Sequence, residues 1–207
     1  MSAAADAHGH GAAHHGDANL HPPPIHYSSR ISPVIVGIFL FIGSEIMLFA
    51  SFFTAFFFVR FTHTHYPFGD FEIPTDSTAI NTAILISSSF TMHWALVSVR
   101  YNRRFGLVVG LGVTLFLGLT FLALQMHEYH ALGFVPSDGA FPSTFFALTG
   151  LHGLHVLVGA TLLSIAFLRS IRGHYSAAEH LGLEVTGLYW HFVDVVWILL
   201  FTVVYVL

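Results

Sequence analysis

The sequence predicts an all-α membrane protein, a bundle of five transmembrane helices that follows a disordered, histidine-rich N-terminal tail. Two features of the composition support this fold class. Charged residues make up 9% of the 207 residues, against roughly 25% in soluble domains, and the mean hydropathy is +0.72. The third observation is that the apolar residues gather in five long runs. Each run is long enough for a helix that crosses a bilayer, which needs roughly 20 residues.

The five spans follow one another with short connections. Pro33 suits the first turn of a helix, where its missing N–H is not needed. The segments HTHYPFGDFEIPTDST and HEYHALGFVPSDGAFP separate span one from span two and span three from span four. Both contain Pro, Gly and Asp, which break helices. Arginines separate the remaining pairs. The predicted spans are 33–59, 79–99, 105–126, 143–168 and 185–207.

The tail differs from the rest of the chain, so we divide the sequence into residues 1–30 and a membrane domain at residues 31–207. The tail is rich in Ala, Gly, His and Pro and cannot build a core. It lacks the charged and apolar regions of a secretory signal. Its histidines could bind copper or zinc, but a solvated tail is the favoured interpretation. These histidines are His8, His10, His14, His15 and His21.

The arginines predict the orientation of the bundle. If the chain crosses the membrane five times, one side carries Arg30, Arg100, Arg103, Arg104, Arg169 and Arg172. The other side carries Arg60 together with the acidic residues Asp70, Glu72, Asp76, Glu128 and Asp138. Positive charge concentrates on the cytoplasmic side of membrane proteins. We therefore expect the N-terminus to be cytoplasmic and the C-terminus to be outside.

Composition and small residues narrow the remaining possibilities. The chain has no cysteine, so it can form neither a disulfide nor a thiolate metal site. It has no basic patch with interleaved aromatic residues, so we expect no nucleic-acid partner. Glycines in spans three and four and serines in span two predict close helix contacts. They are Gly106, Gly110, Gly112, Gly118, Gly150, Gly153, Gly159, Ser87, Ser88 and Ser89.

Two polar features lie deep in the predicted spans. Glu45 is near the middle of span one, where a charge costs about 2.5–3.5 kcal/mol. It is therefore expected to be protonated or paired, as either a proton-linked or a structural carboxyl. His152 and His155, three residues apart, could be a pair of haem or metal ligands. One helical pair is only half of such a site. We therefore favour hydrogen bonds to other helices, with Glu45 as a candidate partner.

Span five contains a second polar pair, His191 and Asp194, again three residues apart and so on one face of a helix. No nucleophile, nucleotide loop or complete metal set accompanies them. A hydrogen bond between them would lower the cost of burying both, so we expect them to be structural. The string HEYH at residues 127–130 lacks the spacing of a zinc protease, which needs histidines four apart. We expect Glu128 to anchor the end of span three.

Four stretches together resemble subunit III of the haem–copper respiratory oxidases. They are FLFIGSEIMLFASFF, INTAILISSSFTMHWA, SDGAFPSTFFALTGLHGLHVLVG and GLYWHFVDVVWILLF, and the similarity extends from Ile35 to Val206. The larger form of this subunit has seven helices around a lipid-filled cleft, and this chain is similar to a five-helix form. The sequences of these stretches are more similar to the cytochrome c oxidases than to the quinol oxidases. The histidines of the tail and the length of the chain are similar to the quinol enzymes, so a quinol oxidase stays an alternative.

The resemblance implies a subunit with no haem, copper or other metal of its own. Haem and copper belong to partner subunits I and II, and subunit III packs on subunit I, sustains turnover and supports proton uptake. Small accessory subunits, bound phospholipid and the bacterial plasma (inner) membrane are also implied. Cytochrome c or a quinol would be the substrate of the complex.

The resemblance also assigns individual residues. Glu45 matches the membrane-buried carboxyl of the family that reacts with carbodiimide. Residues Arg169, Arg172 and His174 match basic positions that meet phospholipid headgroups. His191 and Asp194 match a span-five signature that is not a metal site. Two other classes remain as alternatives: a proton-coupled transporter that uses Glu45 and Asp194, which should show an internal repeat, and a membrane cytochrome.

Overall fold

A computed structural model describes residues 32–62 and 75–207 of the chain. The described residues form five helices, each long and apolar enough to cross a membrane. They are α1 (Pro33–Thr62), α2 (Thr75–Arg100), α3 (Arg104–Ala131), α4 (Ala140–Ile171) and α5 (Leu181–Phe201), with a 3₁₀ turn at Pro136–Asp138 and a π-helical turn at Thr202–Val206. The five predicted spans are confirmed. The predicted tail and the connection between α1 and α2 lie outside the described residues.

Most helices extend beyond the predicted apolar runs by one to five residues at an end. α2 begins at Thr75 rather than at residue 79, and α3 ends at Ala131 rather than at residue 126. The added residues are largely polar, as expected where a helix leaves the hydrocarbon for the interface. Hydropathy detects only the part of a helix that contacts lipid tails, whereas backbone hydrogen bonding continues into the headgroup region.

Helices α2 and α3 form the closest pair in the bundle, and small residues permit their approach. A Cβ atom at Gly110 would lie 2.9 Å from the Cβ of Ala95, and one at Gly106 would lie 2.5 Å from Ser98 Oγ. The connection between the helices is a tight turn in which Asn102 has a positive φ of 53°. The predicted role of the span-three glycines in helix contact is therefore confirmed for this pair.

Trp190 of α5 fills the centre of the bundle and has no solvent exposure. Its indole lies between two glycines, because a Cβ at Gly118 would come within 2.5 Å of it and one at Gly159 within 2.9 Å. Trp197, further along α5 towards its C-terminus, packs edge-on against Phe121 with 4.8 Å between ring centroids. The large aromatic side chains of α5 thus define the core that α2, α3 and α4 surround.

Helix α1 lies at the edge of the bundle and contacts α4 and α5. Its buried side is narrow and consists of Phe49, Phe53 and Phe56. The opposite side is exposed along its whole length, at the positions Gly37, Leu40, Ser44, Met47, Ser51, Thr54, Phe58 and Phe61. Since lipid tails satisfy apolar side chains as well as protein does, this face suits the bilayer.

Arginine is concentrated at one end of the described bundle. The end formed by the α2–α3 and α4–α5 connections carries Arg100, Arg103, Arg104, Arg169 and Arg172. At the opposite end, Arg60 Nη1 donates a hydrogen bond to the carbonyl oxygen of Val203 at 3.1 Å. This distribution of arginines matches the one predicted for the described residues, although Glu179 and Glu184 also lie at the arginine-rich end. Arg30, Asp70 and Glu72 lie outside the described residues.

Candidate functional site

The carboxyl of Glu45 on α1 meets an imidazole on α4. His155 Nε2 lies 2.8 Å from Glu45 Oε2, and the two side chains are 10% and 15% exposed. Phe49, one turn along α1, packs against the His155 ring with 4.9 Å between centroids. The predicted pairing of Glu45 with a histidine of span four is confirmed.

The hydrogen bond made by the second ring nitrogen of His155 determines how many protons the contact with Glu45 contains. His155 Nδ1 lies 2.8 Å from the carbonyl oxygen of Leu151, and a carbonyl can only accept, so Nδ1 carries hydrogen. A neutral imidazole then has a bare Nε2. The contact with Glu45 therefore contains one proton, either on the acid or on the ring. In both forms the pair has no net charge, which removes most of the cost of its depth in the membrane.

His152 does not make the hydrogen bonds that the sequence predicted. It has no solvent exposure, and neither ring nitrogen has a hydrogen-bond partner among the described residues. Because His152 precedes His155 by three residues, its side chain is rotated around the α4 axis, away from α1 and towards the centre of the bundle. There its ring contacts Trp197 with centroids 4.8 Å apart and meets Phe121 edge-on at 6.0 Å. That prediction was wrong for His152 because spacing fixes a shared face only within about 60°.

His191 and Asp194 are joined through a third residue. In the described structure the link is Ser89 of α2, whose hydroxyl donates to Asp194 Oδ2 and lies 3.1 Å from His191 Nδ1. The hydrogen bond expected between the two α5 side chains is therefore replaced by a bridge to another helix. Asp194 is 4% exposed, and its Oδ1 has no partner among the described residues. The sequence predicted only that Ser89, as a small residue, allows close contact between helices.

Two further bonds attach α5 to α2, and both use tryptophans that the sequence placed beside the polar pair. Trp190 Nε1 donates to Ser88 Oγ at 3.0 Å, and Trp197 Nε1 donates to Thr82 Oγ1 at 2.9 Å. Together with Ser89, these contacts form a polar ladder along α2 that faces α5. The spacing of Ser88 and Thr82 in the sequence did not predict these hydrogen bonds, because the bonds depend on how α2 and α5 are rotated about their axes.

A third carboxyl, Glu128, is buried at the end of the bundle opposite the arginine-rich connections. It is 8% exposed and accepts a hydrogen bond from Thr78 Oγ1 at 3.2 Å. The neighbouring Tyr129 donates to Thr149 Oγ1 of α4 at 2.7 Å. The sequence predicted that Glu128 anchors the end of its helix, and these contacts tie that end to α2 and α4.

The basic residues assigned to lipid headgroups lie together at the arginine-rich end. Arg169, Arg172 and His174 are exposed, and the Arg169 guanidinium lies 5.4 Å from the centroid of the Tyr175 ring. Burial raises the pKa of Tyr175, and the charge of Arg169 partly opposes this effect. Nearby, Arg104 donates to the carbonyl oxygen of Ile171 and covers the end of α4.

Residues 32–62 and 75–207 contain no group of three or more His, Asp or Glu side chains arranged to hold a metal ion. His127 and His130 lie at the end of α3 without a third ligand among these residues. The buried acids within the spans instead contact side chains of neighbouring helices. The fold and these contacts define a multi-pass helical membrane protein whose intramembrane acids pair with histidine or hydroxyl side chains.

Comparisons with known proteins identify the family. The chain matches the family described as cytochrome c oxidase subunit III over residues 25–207. It is 39% identical over 196 residues to cytochrome c oxidase subunit 3 of Cyprinus carpio, and the match covers 89% of this chain and 72% of the relative. The corresponding proteins of Homo sapiens and Squalus acanthias are also 39% identical, with the same coverage. The chain belongs to the cytochrome c oxidase subunit III family, and the resemblance noted in the sequence is confirmed.

Proposed function

We propose that the chain is the non-redox subunit III of a proton-pumping haem–copper terminal oxidase that accepts electrons from cytochrome c. The observation that carries the proposal is the family match, which includes all five helices. Membership of this family makes the chain part of an oxidase complex. Haem and copper belong to the partner subunits. Subunit I is the direct neighbour, with subunit II and small accessory subunits in the same assembly.

We also propose that the protein is a multi-pass component of the bacterial plasma membrane, with its N-terminus in the cytoplasm and its C-terminus outside. The concentration of arginine at one end of the described bundle supports this orientation. Arg169, Arg172 and His174 then lie at the cytoplasmic interface, where exposed basic side chains attract anionic headgroups. Bound phospholipid at this end is part of the proposal.

Within the complex, the proposed role of the subunit is to support proton uptake and to sustain turnover. The Glu45–His155 pair is the proton-linked element, because the one proton of this contact between α1 and α4 can be held by either the acid or the ring. His152, His191 and Asp194 hold the helices together through core and interhelix contacts. The transporter alternative has no support in the fold, because the described helices show no interrupted pair.

The test is a Glu45→Ala complex purified from membranes. We expect unchanged haem spectra and copper content, unchanged initial oxygen consumption with reduced cytochrome c, and fewer turnovers before the activity decays. Ser44→Ala is the matched control, since the Ser44 hydroxyl is exposed and, among the described residues, donates to the carbonyl of Phe41 in its own helix. Loss of haem or copper in proportion to the loss of activity would refute a non-redox role. Activity with a quinol but not with cytochrome c would refute the proposed donor.

A further inference from the structure

A cavity of about 270 Å³ lies between α1, α2 and α5, towards the arginine-rich end of the bundle. Its walls are aliphatic or aromatic except at three positions, Arg100, Glu184 and His191. Arg100 and Glu184 form an ion pair at 3.1 Å at the mouth. His191 lies deeper and is the lining residue that connects to the interior, through Ser89.

The protons of this connection are constrained by chemistry. Ser89 has one hydroxyl hydrogen, and it points to Asp194 Oδ2. The contact between Ser89 Oγ and His191 Nδ1, 3.1 Å long, must then take its hydrogen from the ring. His191 Nδ1–H therefore donates to Ser89, and Ser89 donates to the carboxylate. The Nε2 atom is left to exchange protons with the cavity.

A second arrangement uses the same heavy atoms. If Nε2 gains a proton, the ring becomes an imidazolium, and its Nδ1 proton can pass to Ser89 Oγ as the serine passes its own proton to Asp194. The products are a neutral imidazole, an intact serine hydroxyl and a neutral carboxylic acid. One N–H bond breaks and one O–H bond forms on the acid, while the serine exchanges one hydrogen for another. The cluster has gained one proton and has lost its negative charge.

We propose that His191, Ser89 and Asp194 form a one-proton loading site that exchanges with the arginine-rich side of the membrane through this cavity. Arg100 and Glu184 line the same cavity as His191, and His93 of α2 also lies near the His191 ring. Helix α1 contributes only apolar side chains to the cavity. On α4, the His152 ring lies against Trp197 of α5. This inference does not depend on the proposed role in turnover, because its test does not use activity.

The test is hydrogen–deuterium exchange of the intact complex, followed by infrared spectroscopy of carboxyl groups. The difference between the wild-type and Asp194→Asn complexes identifies the Asp194 band. We expect this band to appear as the pH is lowered, and we expect Ser89→Ala to slow its exchange by about tenfold or more, since one relay hydrogen bond is lost. Ser89→Thr keeps the hydroxyl and should exchange like the wild type.

Ser88→Ala is the matched control, because Ser88 also bonds an α5 side chain, Trp190, but lies outside the relay. It should leave the exchange of Asp194 unchanged. If the Asp194→Asn complex does not assemble, the band is identified by its frequency shift in Ser89→Ala, which removes a hydrogen bond from the carboxyl. Equal exchange rates in Ser89→Ala and wild type would overturn the proposal. So would a carboxyl band that does not change with pH.

Discussion

Replacing Gly118 with alanine should destabilise the bundle through one steric contact. The new Cβ atom would lie 2.5 Å from Cη2 and 2.9 Å from Cζ2 of Trp190. The indole cannot retreat, because Gly159 already meets its other side and Nε1 is bonded to Ser88 at 3.0 Å. Carbon atoms pack at roughly 3.5–4.0 Å, so the ring or α3 must shift by about 1 Å. Overpacking of this kind costs about 1–3 kcal/mol.

The free energy of unfolding can be measured by SDS titration of the purified chain in mixed micelles, followed by far-UV circular dichroism and tryptophan fluorescence. Gly150→Ala is the matched control. It is also a glycine inside a helix of the bundle, but no atom lies within 4 Å of the position that a Cβ would take there. Alanine at this position should stabilise the helix by about 0.5–1 kcal/mol, because it reduces the backbone entropy lost on folding.

A double-mutant cycle isolates the contact from other effects of the substitution. A phenyl ring lacks the outer indole atoms that alanine at position 118 would meet, so Gly118→Ala should cost little in a Trp190→Phe background. The expected coupling energy between the two positions is therefore about 1–3 kcal/mol. If Gly118→Ala has the same cost in both backgrounds, or no cost in the wild type, the indole is not wedged between the glycines and the reasoning fails.

Three further predictions follow from individual contacts. Glu45→Leu should cost about 1–3 kcal/mol because it leaves His155 Nε2 without a partner, whereas Glu45→Gln, which can donate to that atom, should cost less; SDS titration compares them. Arg100→Gln should change stability by less than about 1 kcal/mol in the same assay, because its ion pair with Glu184 is largely exposed. Burial raises the pKa of Tyr175, so its neutral form favours the folded state and contributes stability that is lost as the pH rises above about 10. In a pH titration, the loss of stability should be smaller in Tyr175→Phe than in the wild type.

The sequence was sufficient to predict the helices and their number, since hydropathy directly reflects the lipid solvent. It also predicted the partner of Glu45, because few side chains in the spans can neutralise a buried acid. The rotation of each helix could not be predicted from spacing alone. His152 and His155 were treated as equivalent, yet His155 meets α1 and His152 meets Trp197. That difference is set by the packing of aromatic side chains in the core.

Short polar residues were the second element that the sequence could not interpret. Ser88, Ser89 and Thr82 have the composition of an ordinary packing face, and serine and threonine often bond their own helix backbone. In the structure all three also meet α5 side chains. The partner of a hydroxyl cannot be predicted until the facing helix is known. The bridge between His191 and Asp194 could therefore be identified only from the structure.

Two acids buried within the spans, Glu45 and Asp194, lie close to histidines. Glu45 contacts an imidazole directly, and Asp194 reaches one through a hydroxyl. The Glu45–His155 contact holds one proton and has no net charge whether that proton is on the acid or on the ring. The His191–Ser89–Asp194 cluster becomes neutral only when it gains a proton. Glu128 contacts the hydroxyl of Thr78, which cannot neutralise a carboxylate by giving up a proton. We therefore expect Glu45 and Asp194, rather than Glu128, to be the acids that exchange protons within the spans.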